Sequence, residues 1–187
     1  MSDDAEITTW ALAAGRGDRD AASRFIRATQ SQVWRFVGAL IGPADADDLT
    51  QETYLRAMRS LPSFAARSSA LTWLLGIARH VAVDHIRATA ARPRTVPLSD
   101  RHDLPDVQHS GFDGTVALEQ LLRDIEPDRR VAFVATQVVG LSYAEAAEVC
   151  GCPVGTIRSR VARAREDLVA AVNGHTRPAP RRGRFAG

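Results

Sequence analysis

Along this chain apolar residues recur three and four positions apart, the period of helices that each bury one face. Ile7 to Gly15 and Asp20 to Gln30 read as two short helices around Gly15-Arg16-Gly17, with Asp18 or Asp20 capping the second. Ala21, Ala22, Phe25 and Ile26 form its apolar face, and Val33, Phe36, Val37, Leu40 and Ile41 carry the pattern on until Gly42-Pro43 stops it. Asp45 to Leu61 is a further helix with acids in its first turn and Arg56 and Arg59 in its last, as the helix dipole prefers. Its inward face is expected to carry Tyr54, Leu55, Met58 and Leu61, leaving Asp48, Gln51 and Glu52 exposed together. Leu61 to Ser69 breaks the pattern as a loop that holds Phe64 and Arg67. Ala70 to Ala91 is then one long helix, capped by Ser68 or Ser69. It buries Leu71, Leu74, Leu75, Ala78, Ala82 and Ile86 and turns Trp73, Gly76, His80, Asp84 and Arg87 the other way.

From Arg92 to Gly114 the chain has three prolines, many polar residues and no apolar period, so it reads as a flexible linker. Two more helices follow, Thr115 to Ile125 and Asp128 to Val139. They brace the stretch around which the chain is organised, LSYAEAAEVCGCPVGTIRSRVARAR at Leu141–Arg165. Ser142 followed by Glu145 is a capping-box signature for a short helix. Ala147, Gly151 and Ile157 then supply a small residue where helices cross, a turn glycine and an aliphatic anchor, which is helix-turn-helix spacing. On the second helix Ile157, Val161, Ala164 and Leu168 make the buried stripe. Ser159, Ala162 and Arg163 face away, flanked by Arg158 and Arg160, and such a face suits the DNA major groove.

The expected fold is therefore all-α: two small helical domains, 6–92 and 115–173, joined by a flexible linker at 93–114, the second containing the helix-turn-helix. Residues 174–187 are expected to form a disordered basic tail that adds sequence-independent attraction to phosphates.

Charge sharpens this picture. The net charge is only +2, but eight arginines lie between Arg158 and Arg184 while Asp45, Asp47, Asp48 and Glu52 cluster in the first half, which suggests two different partners. The only cysteines, Cys150 and Cys152, lie at the helix-turn-helix turn and read as core, with no second pair to complete a zinc site. His80 and Asp84 lack a third ligand, so no metal, cofactor or catalytic group is expected. The acidic start and the lack of a long apolar run point to a cytoplasmic protein. Phe64 and Arg67 on a loop, and Trp73 beside basic side chains, are chemistry suited to unpaired bases.

Three blocks, DADDLTQETYLRA, TWLLGIARHVAVDHIR and the helix-turn-helix stretch, resemble in order and spacing the extracytoplasmic-function sigma factors of bacterial RNA polymerase, and within them the actinobacterial sigma C subgroup. The resemblance implies core RNA polymerase, through its β′ coiled coil and β subunit, and promoter DNA as partners, with an anti-sigma factor as a regulator that the sequence does not name. It assigns Asp48, Leu49, Gln51 and Glu52 to β′ docking. Ser63, Phe64, Arg67, Trp73, Arg79 and His80 go to the melted −10 strand, and Thr156, Arg158, Ser159, Arg160, Ala162 and Arg163 to the −35 duplex, with Thr156 and Arg160 on phosphate. It places the linker in the RNA exit channel. His80 departs from the asparagine that many members carry. Two competing readings are a free-standing helix-turn-helix regulator, whose first domain would serve oligomerisation, and a metal-dependent nucleic-acid enzyme built on Asp45, Asp47, Asp48 and Glu52.

Overall fold

The computed structural model describes residues 4–91 and 120–175, and every regular element among them is helical. Helix α1 (Asp4–Gly15) turns through Gly17 into α2 (Arg19–Ile41). Asp18 is the cap, its Oδ1 accepting the N–H groups of Asp20 (2.9 Å) and Ala21 (3.0 Å). The two helical stretches expected between Asp20 and Ile41 are one unbroken helix, because nothing from Ser31 to Gln32 removes a backbone donor. After Gly42 a 3₁₀ turn (Pro43–Asp45) leads into α3 (Ala46–Ser60), and a second (Leu61–Ser63) opens the loop to α4 (Ala70–Ala91). Ser69 starts α4, its Oγ accepting the N–H of Thr72 (3.2 Å).

The second half begins with α5 (120–124). Next comes α6 (Pro127–Phe133), capped by the Glu126 carboxylate, and it opens into a π-helical turn (Val134–Val138). Helix α7 (Tyr143–Cys150) and helix α8 (Val154–His175) complete the fold. Helix α8 includes Gly174 and His175, so the helix runs past the point where the tail was expected to begin. The linker at 93–114, the start of the Thr115–Ile125 helix and the tail beyond residue 175 lie outside the described residues.

The inward face of α3 differs from expectation. It is made of Ala46, Thr50, Thr53 and Ala57, whereas Leu55 is 47% exposed. Small residues let α3 lie close against α2 and α4, and the larger side chains are displaced to its flanks. There Tyr54 places its hydroxyl 2.7 Å from Thr29 Oγ1, and burial pushes its pKa up to about 12.

The two halves share one core. Phe25, Phe36, Leu40, Leu74 and Leu75 of the first half and Val131, Val134, Val149, Ile157 and Val161 of the second belong to one apolar cluster, with α7 packed on α4. Two arginines pin the halves reciprocally at helix C-termini, where carbonyls lack intrahelical donors and the dipole is negative. Arg35 donates to Val138 O (2.7 Å), at the end of the π-helical turn. Arg130, buried, donates to Leu40 O (2.7 Å) in the last turn of α2 and to Arg123 O (2.8 Å) and Ile125 O (3.1 Å).

Candidate nucleic-acid interface

The helix-turn-helix forms as its sequence dictates. Ser142 Oγ accepts the Glu145 N–H (3.2 Å) while a Glu145 carboxylate oxygen accepts the Ser142 N–H (2.7 Å), a complete capping box. Gly151 ends α7 in the left-handed region at φ 63°, where an L side chain would be strained. Ala147, Ile157, Val161 and Ala164 are buried, and Leu168 is half-buried. The opposite face of α8 presents Arg158, Ser159, Ala162 and Arg163 to solvent, with Thr156 half-buried at its start. Cys150 is buried and its thiol is pushed up to about 11, chiefly by loss of hydration, which keeps it protonated at neutral pH. Cys152 is half-buried, and its Sγ lies 3.6 Å from Arg160 NH1.

Arg160 is engaged differently from the other arginines of this face. It pairs with Asp128 at the start of α6, and the other oxygen of that carboxylate lies 3.8 Å from Arg79 NH2 on α4. One carboxylate thus bridges two arginines that the sequence points toward DNA, offsetting one of their two charges. Nothing in the pattern around Asp128 singled it out, since an acid in the first turn of a helix is commonplace.

The expected single-strand residues gather around the loop and the adjoining face of α4. Phe64 and Trp73 lie with ring centroids 4.8 Å apart at a tilted angle, making an aromatic platform. Trp73 is half-buried, so this ring is less outward than its helical position suggests. Ser63 and Arg67 are exposed, and Ser63 Oγ donates to Ser60 O (2.7 Å). Between them Ala66 takes φ 51°, the one non-glycine residue with positive φ among those described, so the loop holds local strain. Gly15 lies against the base of this loop, where a Cβ would come within 2.6 Å of Leu61 O. His80 is exposed, with Nδ1 2.7 Å from Gly76 O. A carbonyl only accepts, so Nδ1 is the donor in this contact.

Of Trp73, Arg79 and His80, the first two are half-buried and only His80 is exposed. All three line an open cleft of about 380 Å³ shared with Glu148, Val149 and Gly151, the end of the first helix of the helix-turn-helix. The reading face of α8 is accessible in this arrangement, whereas Trp73 and Arg79 on the single-strand face of α4 are half-buried beside α7.

On α3, Asp48 and Gln51 are exposed and Leu49 is half-buried. Glu52, expected to stand free beside them, is instead held by Arg56 Nε (2.7 Å), which also reaches Asp84 (3.2 Å). Among the described residues no group of three or more His, Cys, Asp or Glu side chains converges as a metal site, and no helix is long and apolar enough to cross a membrane.

Known proteins place this geometry. The Sigma-70 region 2 family matches residues 25–92 and the Sigma-70 region 4 family matches residues 115–168. The ECF RNA polymerase sigma factor SigC of Mycobacterium tuberculosis is 54% identical over 171 residues, which cover 90% of this chain and 92% of that one. Among solved structures, CnrH in complex with the cytosolic domain of CnrY has the same fold, with a TM-score of 0.73 at 22% identity over 91% of this chain and 99% of that one. The sigma factor RpoE of Bartonella quintana, solved with the anti-sigma factor NepR, has a TM-score of 0.61 at 25% identity over 81% and 96% of the two chains. These matches set aside the free-standing regulator: the chain belongs to the extracytoplasmic-function sigma factors of bacterial RNA polymerase.

Proposed function

We propose that this sigma factor performs no bond chemistry and acts through two DNA-reading surfaces and one docking surface. The observation that carries the reading is the α8 face, where Arg158, Ser159, Ala162 and Arg163 stand exposed on a helix whose opposite stripe is buried. Arg158 and Arg163 suit bidentate contacts to guanine edges of a −35 duplex, and Thr156 and Arg160 suit phosphate. The Phe64–Trp73 platform, with Ser63, Arg67, Arg79 and His80 around it, suits a −10 strand whose bases have left the stack. Asp48, Leu49, Gln51 and Glu52 dock on the β′ coiled coil of core polymerase, with the β subunit as a further contact.

The closed packing of α7 on α4 gives this reading a consequence. A −10 strand engages the half-buried Trp73 and Arg79 fully only after α7 leaves α4, so the chain binds promoter as an opened form, and core polymerase supplies the energy of opening. An anti-sigma factor is included as a regulatory partner, supported by the relative solved with one. The chain acts where polymerase acts, in the cytoplasm.

The reading is tested by permanganate footprinting of a promoter mapped for this factor, with core polymerase and the full chain. Unpaired thymines at −10 that fade with Trp73→Ala support it. Full melting by a Trp73→Ala, Arg67→Ala double variant overturns the −10 assignment.

A further inference from the structure

Five large apolar side chains stand exposed among the described residues, and two of them, Trp34 (42%) and Leu55 (47%), lie along the α2–α3 pair, Trp34 at the acidic first turn of α3 and Leu55 further along that helix. Helices α2 and α3 run antiparallel: Thr29 meets Tyr54 at one level and Trp34 meets Asp47 at another. Asp47, Gln51 and Leu55 follow one ridge of α3 at four-residue spacing, with Asp48 and Glu52 on the ridge beside it. Trp34 therefore sits on the α2 edge of the surface already assigned to polymerase, and Leu55 lies two turns along α3 from Asp48.

The indole is also fixed. Trp34 Nε1–H donates to Asp47 Oδ1 at 2.8 Å, so its polar edge is satisfied by the protein and its apolar faces are left to solvent. An aromatic ring that is exposed yet held in one orientation has little rotamer freedom left to lose on binding, which is the property of interface anchors. Neither residue is needed by the core, which on this side is built from Ala46, Thr50, Thr53 and Ala57 of α3 and Val33, Phe36, Val37 and Leu40 of α2.

We propose that Trp34, braced by Asp47, and Leu55 are the apolar anchors of the polymerase-docking face. The inference rests on the assignment of Asp48, Leu49, Gln51 and Glu52 to docking, and it extends that face from one helix to two. Acids between two apolar anchors fit a helical partner surface that sets basic side chains beside apolar ones, and the partner committed to is the β′ coiled coil of core polymerase. Asp47 takes a positioning role: it holds the ring, and the ring makes the contact.

The test is a titration of fluorescently labelled full-length chain with purified core RNA polymerase. Trp34→Ala is expected to weaken binding at least about tenfold, Leu55→Ala several-fold, and Trp34→Phe much less than Trp34→Ala. Asp47→Ala, which frees the indole, should fall between. Because Trp34 and Leu55 are exposed, thermal melting of each variant should stay near that of the parent chain. Asp48→Arg separates the anchor role of Trp34 and Leu55 from the docking role of the acidic face. If Asp48→Arg weakens binding and the Trp34 and Leu55 variants do not, the anchor proposal is overturned and the docking assignment stands. If Asp48→Arg also binds normally, the docking assignment itself fails.

Discussion

Replacing Asp128 with asparagine should release the single-strand face of α4. Asparagine keeps the shape of the side chain and removes the charge that faces both Arg79 and Arg160. The Asp128 side chain is 42% exposed, Arg79 19% and Arg160 23%, so each pair is strongly screened and contributes about 0.5–1 kcal/mol. Only the Arg79–Asp128 pair joins the two halves, since Asp128 and Arg160 both lie in the second, so it holds the closed form by about 0.5–1 kcal/mol and its loss raises the open fraction by about 2- to 5-fold. When the competent form is a minor one, apparent affinity rises by the same factor. The assay is fluorescence anisotropy of a labelled single strand carrying the factor's mapped −10 sequence, titrated with the full chain. Removing any acid also favours DNA nonspecifically, and Asp124→Asn controls for this because Asp124 is exposed and lies outside the Arg79–Asp128–Arg160 cluster. Equal affinities for the Asp128 and Asp124 variants would refute the role of this carboxylate in holding the halves closed.

Other outcomes follow from the same geometry. Arg158→Ala should weaken −35 duplex binding by about 1–3 kcal/mol and relax preference at one base pair, measured against a panel of single-base variants; uniform weakening would move Arg158 to phosphate. Gly15→Ala should lower the melting temperature, at a cost of about 1–3 kcal/mol, because its Cβ would press on the Leu61 carbonyl at the base of the −10 loop, and an unchanged melt would contradict that contact. Stability should fall at alkaline pH. Tyr54 and Cys150 have folded pKa values of about 12 and about 11 against ordinary values of 10.0 and 9.0, so the unfolded chain loses these protons first. Their contribution is complete below pH 9.0 and is lost as pH rises through about 12. Tyr54→Phe should flatten the upper part of that decline in a melting-temperature series.

The sequence was legible where structure is decided locally. The Ser142–Glu145 capping box, the Gly151 turn and the Ile157–Val161–Ala164 stripe each depend on residues within a few positions, and all three form as read. The buried stripe of α4 was legible for the same reason, because Leu71, Leu74, Leu75, Ala78 and Ala82 repeat at helical spacing. Leu55 was misplaced because periodicity finds a stripe without saying which neighbour covers it. Here α2 and α4 approach close enough that alanines and threonines fill the seam. Glu52 looked free because the sequence does not show that Arg56 turns back to hold it. Asp128, Arg130 and Trp34 were missed for a different reason. Their roles rest on partners far along the chain, Arg79 and Arg160 for Asp128, Leu40 for Arg130 and Asp47 for Trp34, and no local pattern records such pairings.

The account stands or falls on whether this chain gives core polymerase a promoter preference. The most direct measurement is run-off transcription on fragmented genomic DNA from the chain's own source, with purified core polymerase and with or without the full chain. The account predicts new, discrete start sites that share a −35 and a −10 sequence and appear only when the chain is present. A transcript pattern unchanged by the chain, together with sequence-specific duplex binding by the chain alone, would contradict it.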